Sequence, residues 1–282
     1  MVKFVPFSIT VQGRLVAFNR PAVMGILNAT ADSFYDGGRY VDDAAIAVRA
    51  RSIVADGADI VDVGVSSTRP GSALPSPDDE APRLAAVVRV VREAVPQAVI
   101  SVDTCFALSA AAAVEAGADM VNDIGGGDLD SGMFATVAGL QVPYIMMHGA
   151  RLHFGHDKPA GGEDLIDSVV RFFSARLDTL YRLGAKDVWI DPGFGFGKGV
   201  RGDHELLRRL DELTTLFREP LLAAMSRKSM LCKPLGITPD EALEATVAAD
   251  ALALDRGARI VRVHDVRPAV QTVCLTMNTT TS

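Results

Sequence analysis

Eight short apolar segments of this chain each end on side chains that could do chemistry. These side chains are Asn28, Asp62, Asp103, Asn122 with Asp123, His148, Asp191, Ser226 with Arg227 and Lys228, and Arg262 with His264. If the segments are parallel strands of a closed barrel, their ends meet on one face, where such barrels carry their active sites. The pattern therefore predicts an enzyme whose functional groups come from many strands.

Three of these residues, Asp103, Asn122 and Asp191, would offer carboxylates and an amide to one ligand. A carboxylate can accept two parallel hydrogen bonds from an amidine-like edge, so a flat heterocycle is the ligand that suits this set. Alternatively, each residue could cap the helix that follows its strand. Three such residues together favour the ligand site.

Basic residues gather at the ends of the last two segments, in SRKS and RVHDV. Arg227, Lys228, Arg262 and His264 then lie where barrels commonly bind phosphate. The alternative is a set of solvated surface cations. With a net charge of -7, the chain is not expected to bind nucleic acid, so the cluster predicts a phosphorylated or pyrophosphorylated substrate.

Two loops add further candidates. NATADSFYDGGRY, which begins at Asn28, contains Asp36 and can offer oxygen ligands to Mg2+. SSTRPG, which begins at Ser66, offers hydroxyls and Arg69. A third loop, from residue 149 to 163, contains His153, His156 and Asp157, which resemble a metal cluster but are expected to be solvated in so polar a segment.

The elements that must position these residues are indicated by a repeat: DGADIVDVG, AGADMVNDI, LGAKDVWID and RGARIVRVH. In each, a glycine able to end a helix with positive φ is followed by a β-branched strand; the glycines are Gly57, Gly117, Gly184 and Gly257. Alternating strands and helices predict a parallel α/β fold. A doubly wound open sheet would show the same local pattern, but eight units with functional ends favour a (β/α)8 TIM barrel.

The domain organisation follows from the same reading. We expect an N-terminal β-hairpin over about 1–20, a single catalytic barrel over about 21–275 and a flexible tail over about 276–282. Helices are expected at about 42–56, 78–95, 106–116, 130–139, 164–183, 203–217, 240–256 and after Asp265. The long connection over 149–163 is of the kind that often forms a lid.

Compartment and class follow from composition. The three cysteines are far apart, so neither a disulfide framework nor a zinc site is indicated, and a reducing cytoplasm fits best. The N-terminus is too polar for a signal peptide, and no apolar stretch approaches the about 18 residues of a membrane helix. We therefore expect a cytoplasmic protein.

Taken together, the motifs form a signature. MGILNATADSFYDGG, VDVGVSSTRPG, SVDT, VNDI, MMH, IDPGFGFGK, SRKSML and RVHDV, in this order from Met24 to Val266, resemble dihydropteroate synthase. That family consists of (β/α)8 enzymes of folate synthesis that join 6-hydroxymethyl-7,8-dihydropterin diphosphate to p-aminobenzoate and release pyrophosphate. The resemblance implies the same activity, Mg2+ and a homodimer.

The resemblance also implies roles for matching residues. Those implied to bind the pterin are Asp103, Asn122, Met147, Asp191, Phe196 and Lys228. Those implied to bind pyrophosphate are Asn28, which also binds Mg2+, with Thr68, Arg69, Arg262 and His264. Those implied to shape the p-aminobenzoate pocket are Phe34, Thr68, Pro70, Lys228 and Ser229. The catalytic set is Asp36, Asp103, Lys228 and Arg262, with Asp103 stabilising the pterin-methyl cation left when pyrophosphate departs.

The chain departs from the family pattern in one loop. Where the family usually has GGEST, this chain has Gly64, Val65, Ser66, Ser67 and Thr68. The altered loop leaves two alternatives open, a non-catalytic pterin-binding paralogue and a methyltetrahydrofolate methyltransferase on the same barrel. The methyltransferases do not need the SRK and RxHDV residues present here.

Overall fold

The chain begins with an antiparallel hairpin. In the computed structural model, which describes residues 4–29, 43–66, 74–155 and 164–280, strand β1 (Phe7–Val11) pairs with β2 (Arg14–Phe18). The turn between them has positive φ at Gln12 and Gly13, which suits the twist of a tight hairpin. The predicted N-terminal hairpin is confirmed.

Eight parallel strands of the described residues form a barrel. They are β3 (Ala22–Asn28), β4 (Ile60–Gly64), β5 (Val99–Asp103), β6 (Met120–Asp123), β7 (Tyr144–Met147), β8 (Val188–Asp191), β9 (Leu222–Ala223) and β10 (Ile260–Val263). Their order is β8-β7-β6-β5-β4-β3-β10-β9. A parallel bridge between Ile190 and Leu221 joins the two ends, so the predicted TIM barrel is confirmed and the open sheet is not formed.

Helices cover the barrel. They are α1 (Asp43–Ala55), α2 (Pro77–Ala94), α3 (Ala107–Glu115), α4 (Met133–Leu140), α5 (Ala150–His153), α6 (Leu165–Arg182), α7 (Gly199–Arg208), α8 (Leu210–Leu216), α9 (Ser229–Leu235), α10 (Leu243–Asp255) and α11 (Val266–Thr280), with a 3-10 turn at Pro239–Glu241. No helix of the described residues is long and apolar enough to cross a membrane.

The helices differ from the prediction at four places. The helix expected over 203–217 begins at Gly199 and is interrupted at Arg209, and α5 and α9 were not expected. Helix α11 continues to Thr280, so residues 276–280 of the segment expected to be loose are helical. The unpredicted helices are 4 and 7 residues long, and so short a segment gives little amphipathic signal.

The junctions between helix and strand follow the repeat. Gly57, Gly117, Gly184 and Gly257 have φ values of 98°, 112°, 91° and 92°. A side chain at these angles costs energy, so glycine allows each helix to stop and the chain to turn into the next strand. The repeat thus sets where each strand begins, and with it which residue lies at the strand's end.

The barrel is filled from below by the hairpin. Ile9, Val11 and Phe18 pack with the lower residues of the strands, and Trp189 contacts the rings of Phe7 and Phe18 at 5.5 and 6.1 Å. This apolar plug closes the amino end of the barrel. The carboxyl ends of the strands are therefore the end at which polar side chains gather.

Candidate active site

Strand register brings the predicted residues to one end of the barrel. Asp103 ends β5 and pairs with Asn122 on β6, while Met147 on β7 pairs with Asp191 on β8. A Cβ atom placed on Gly64 would lie 3.5 Å from Asn28 Oδ1 and 3.5 Å from Asp103 Cβ, so these side chains flank the glycine. The strand ends form one continuous polar surface.

An arginine lies between two carboxylates at the centre of this surface. Arg262 Nε donates to Asp62 Oδ2 and its NH2 group donates to Asp103 Oδ2, both at 2.6 Å. Asn122 Nδ2 also donates to Asp62 Oδ2, at 3.2 Å. The network fixes the orientation of Asp103 and Asn122.

Two buried acceptors in this network remain available. Asp62 Oδ1 and Asp103 Oδ1 have no hydrogen-bond partner among the described residues, although Asp62 is fully buried and only 9% of the Asp103 side chain is exposed. Buried acceptors in native proteins are normally paired. Burial raises the pKa of Asp103, opposed by Arg262 and reinforced by the charge of Asp62. A ligand that donates hydrogen bonds or carries positive charge would stabilise the ionised form.

Lys228 lies across the mouth from this pair. Its Nζ donates to the carbonyl of Phe194 at 2.6 Å and lies 4.9 Å from the centre of the Phe196 ring. Burial lowers the pKa of Lys228 to about 8, while the carboxylate of Asp191 opposes that shift. Gly195 has φ +81°, and a Cβ there would lie 3.0 Å from Lys228 Cδ, so the glycine-rich segment admits the lysine side chain. The ammonium is thus held beside an aromatic face.

An apolar floor completes the pocket. Met147 and Phe196 are buried in one cluster with Cys105 and Ile124. The ring of His153 lies 4.5 Å from that of Phe196. Sulfur and aromatic side chains beside convergent polar groups suit a planar ring.

His264, which follows β10, is held in its neutral form by burial. His264 Nδ1 is 3.0 Å from Ser226 Oγ, which also accepts a hydrogen bond from the His264 amide. Burial lowers the pKa of His264 to about 4, with Arg262 acting in the same direction. A neutral ring can still donate one hydrogen bond to a phosphate from the nitrogen opposite Ser226.

Arg227 is paired with carboxylates. It donates to both oxygens of Asp265, at 2.8 and 3.0 Å, and to Asp240 at 3.2 Å. Its φ of 58° is unusual for a bulky residue. Its charge also acts on His264, whose pKa it lowers together with Arg262 and Lys228, so Arg227 lies in the predicted basic cluster with its guanidinium already paired.

The other predicted residues are less constrained. Asn28 is exposed at the end of β3, and Ser229 is exposed at the first position of α9. The remaining candidates lie outside the described residues: Phe34, Asp36, Thr68, Arg69, Pro70, His156 and Asp157. Their roles stay predictions.

Sequence reasoning missed one central group. Asp62 was recognised as a strand residue but not assigned to the site, although it holds both Arg262 and Asn122. The signal was a carboxylate inside the apolar run IVDVG, where a charge is tolerated only when paired. Asp123, in contrast, accepts from Tyr144 and from the amides of Gly125 and Gly127, so it shapes its own loop.

Comparison with known proteins agrees with this geometry. A model of the pterin binding enzyme family matches residues 24–264. A dihydropteroate synthase of Streptococcus pyogenes serotype M3 is 40% identical over 257 residues, which cover 90% of this chain and 94% of the relative. The chain belongs to the dihydropteroate synthase family. The family resemblance read from the strand-end motifs is confirmed.

Solved dihydropteroate synthases have the same fold. The enzyme of Clostridium difficile, determined in the presence of pteroic acid, is 35% identical with a TM-score of 0.86, covering 93% of this chain and 97% of that one. The Xanthomonas albilineans synthase with 4-aminobenzoic acid is 34% identical with a TM-score of 0.87, covering 97% and 98%. Both similarities extend over more than nine tenths of this chain.

Proposed function

We propose that this chain condenses 6-hydroxymethyl-7,8-dihydropterin diphosphate with p-aminobenzoate, giving 7,8-dihydropteroate and pyrophosphate. The observation that carries the proposal is the pair of buried oxygens on Asp62 and Asp103, which have no partner among the described residues, beside an apolar floor. A pterin has a donor-rich edge and a flat ring, which match these two features. The relatives named above supply the identity of the reaction.

The pterin fits the site residue by residue. Asn122 presents an amide beside Asp103, Asp191 presents a carboxylate close to Lys228, and Lys228 offers a charge-assisted hydrogen bond to a ring carbonyl. Met147 and Phe196 contact the ring faces. In this proposal the exocyclic methylene points toward the ends of β3 and β10, where Asn28, Arg262 and His264 lie.

The leaving group would be held at those strand ends. The NH1 group of Arg262 is not used by the bonds to Asp62 and Asp103, and neutral His264 can add a hydrogen bond. Among the described residues, Asn28 presents an amide oxygen, a donor of the kind that Mg2+ accepts together with phosphate and water oxygens. Bound Mg2+ would supply further positive charge to the pyrophosphate.

Bond breaking places positive charge on the pterin methylene. The carbon–oxygen bond to the diphosphate breaks, the carboxylate of Asp103 stabilises the cation, and the arylamine nitrogen then forms the new bond and loses a proton. Asp103 suits this step because its ionised form, disfavoured by burial, is stabilised by a cation that forms beside it. The arylamine needs little activation, since it is already neutral at pH 7.

Product analysis tests the proposal. The purified protein is incubated with the pterin diphosphate, p-aminobenzoate and Mg2+, and dihydropteroate and pyrophosphate are quantified in parallel. Equal amounts of both products are expected. Pterin binding without product would favour the non-catalytic paralogue, and methyl transfer from methyltetrahydrofolate in place of condensation would favour the methyltransferase.

The proposal includes a homodimer in the cytoplasm. A groove of about 440 Å3 between α7, α9 and α10 is flanked by Leu235 and Leu252, which are 60% and 47% exposed. Exposed apolar surface of this kind supports association between subunits. Light scattering after size exclusion should give twice the chain mass of 29.9 kDa.

A further inference from the structure

A buried carboxylate outside the described pocket joins two of its walls. Glu80, in the first turn of α2, is only 2% exposed. Its Oε1 accepts a hydrogen bond from Ser66 Oγ at 2.8 Å, and its Oε2 accepts one from Thr104 Oγ1. One side chain thus joins the segment after β4 to the end of β5.

The first of these walls contains the two residues that depart from the family motif. Besides the Ser66 hydroxyl, the carbonyl of Val65 is held by α2, through a hydrogen bond of 3.2 Å from Arg83 NH2. The Ser66 hydroxyl donates the hydrogen bond that links this wall to Glu80. Both residues that depart from the family motif are therefore contacted by side chains of α2.

The second wall carries the central aspartate. Thr104 directly follows Asp103, its amide donates to the carbonyl of Asn122 at 3.1 Å, and its hydroxyl accepts from the amide of Phe106 at 3.2 Å. A residue held at three points fixes the direction in which the preceding side chain leaves the strand. Asp103 Oδ2 meets Arg262 at 2.6 Å in that direction.

We infer that Glu80 is a positioning residue for the condensation: by holding the Thr104 and Ser66 hydroxyls, it sets Asp103 at the place where positive charge develops. The inference rests on the proposed function. A carboxylate is needed because it accepts from both hydroxyls at once, whereas a glutamine amide has only one accepting atom. The first turn of a helix also favours a negative charge at this position.

The test compares Glu80→Gln with Asp78→Asn, a control with the same charge change on an exposed residue of the same helix turn. Losing one charge-assisted hydrogen bond predicts that kcat falls by about tenfold or more in Glu80→Gln, with the KM for the pterin diphosphate changed by less than about threefold. Asp78→Asn should leave both unchanged. Melting temperature and circular dichroism are recorded for each variant, and rates are taken well below the transition.

A second pair removes the risk that Glu80→Gln fails to fold. Thr104→Val removes the hydroxyl and should lower kcat, whereas Thr104→Ser retains the hydroxyl and should keep most of the wild-type rate. The double variant Glu80→Gln with Thr104→Val should have a kcat no lower than that of Glu80→Gln alone. Equal rates for Thr104→Val and Thr104→Ser would overturn the inference but not the proposed function. The same conclusion would follow if the kcat of Glu80→Gln equalled that of Asp78→Asn. A wild-type protein without condensation would overturn the proposed function and this inference with it.

Discussion

At the scale of single residues, the site combines groups whose charged forms are disfavoured by burial. Burial raises the pKa of Asp103 and Asp191 and lowers that of Lys228, so each group is better stabilised by a partner of opposite charge or by a hydrogen-bonding ligand. The pocket is therefore suited to a ligand that supplies both donors and acceptors. Pterin binding should depend strongly on single side chains.

Lys228→Ala should abolish tight binding of the pterin diphosphate. One charge-assisted hydrogen bond contributes about 1.5 to 3 kcal/mol, so the Kd should rise by roughly tenfold or more. Calorimetry measures this directly, with Lys233→Ala, an exposed lysine of α9, as the control. A Kd equal to that of the wild type would remove Lys228 from the site.

Arg262→Ala and His264→Ala should affect ligands with and without the diphosphate differently. Because their proposed partner is the leaving group, binding of the diphosphate form should weaken more than binding of the bare pterin, and kcat should fall. Both ligands are titrated into each variant. Equal loss of affinity for the two would contradict the assignment of these side chains to the leaving group.

The residue scale is also where sequence reasoning was least complete. The convergence of strand ends in a barrel predicted that Asp103, Asn122, Asp191 and Lys228 lie close together, while their roles toward a ligand stay predictions. The contact between Asp62 and Arg262 spans 200 positions, and no local pattern encodes it. The pairing of Arg227 with Asp265 and Asp240 likewise depends on tertiary contacts that sequence spacing does not give.

At the scale of elements, the fold was predictable wherever glycine and β-branched residues repeat. The barrel and most helices follow that repeat, whereas α5 and α9 are too short to give a clear signal, and close packing between elements is not visible in the sequence either. Gly25 in β3 illustrates such a contact, since a Cβ there would lie 2.5 Å from Ile53 on α1 and 2.9 Å from Val266 on α11. Close packing of these two helices on the strand requires glycine.

Gly25→Ala should therefore destabilise the protein. Overpacking of this kind costs typically about 1 to 3 kcal/mol, measured as a lower free energy of unfolding in urea. The matched control is Gly139→Ala in α4, where a Cβ meets no atom within 4 Å and alanine should stabilise the helix by roughly 0.5 to 1 kcal/mol. Opposite signs are expected, and an equally stable Gly25→Ala protein would contradict the packing described.

At the scale of the whole molecule, one buried acid makes stability depend on pH. Asp250 in α10 is 1% exposed, neither of its oxygens has a partner among the described residues, and burial raises its pKa well above 3.8. The folded state thus holds this proton more tightly than the unfolded state. Its contribution to stability falls as pH rises from about the unfolded value through the raised folded value.

Asp250→Asn should remove that dependence. The free energy of unfolding of the variant minus that of the wild type should increase between roughly pH 4.5 and 8. Over this interval only the wild type loses the stability contributed by the proton on Asp250. Urea titrations at both pH values measure the change. Glu244→Gln, an exposed residue of the same helix, serves as the control and should show no such trend.

Single-turnover kinetics most directly tests the stabilisation of a pterin cation by Asp103 at the strand ends. With saturating pterin diphosphate, p-aminobenzoate and Mg2+, Asp103→Asn keeps the shape of the side chain but removes its charge. The chemical step should slow by roughly 100-fold or more, while pterin affinity falls only modestly. A variant that forms dihydropteroate at a rate near that of the wild type would show that the charge of Asp103 does not stabilise the cation.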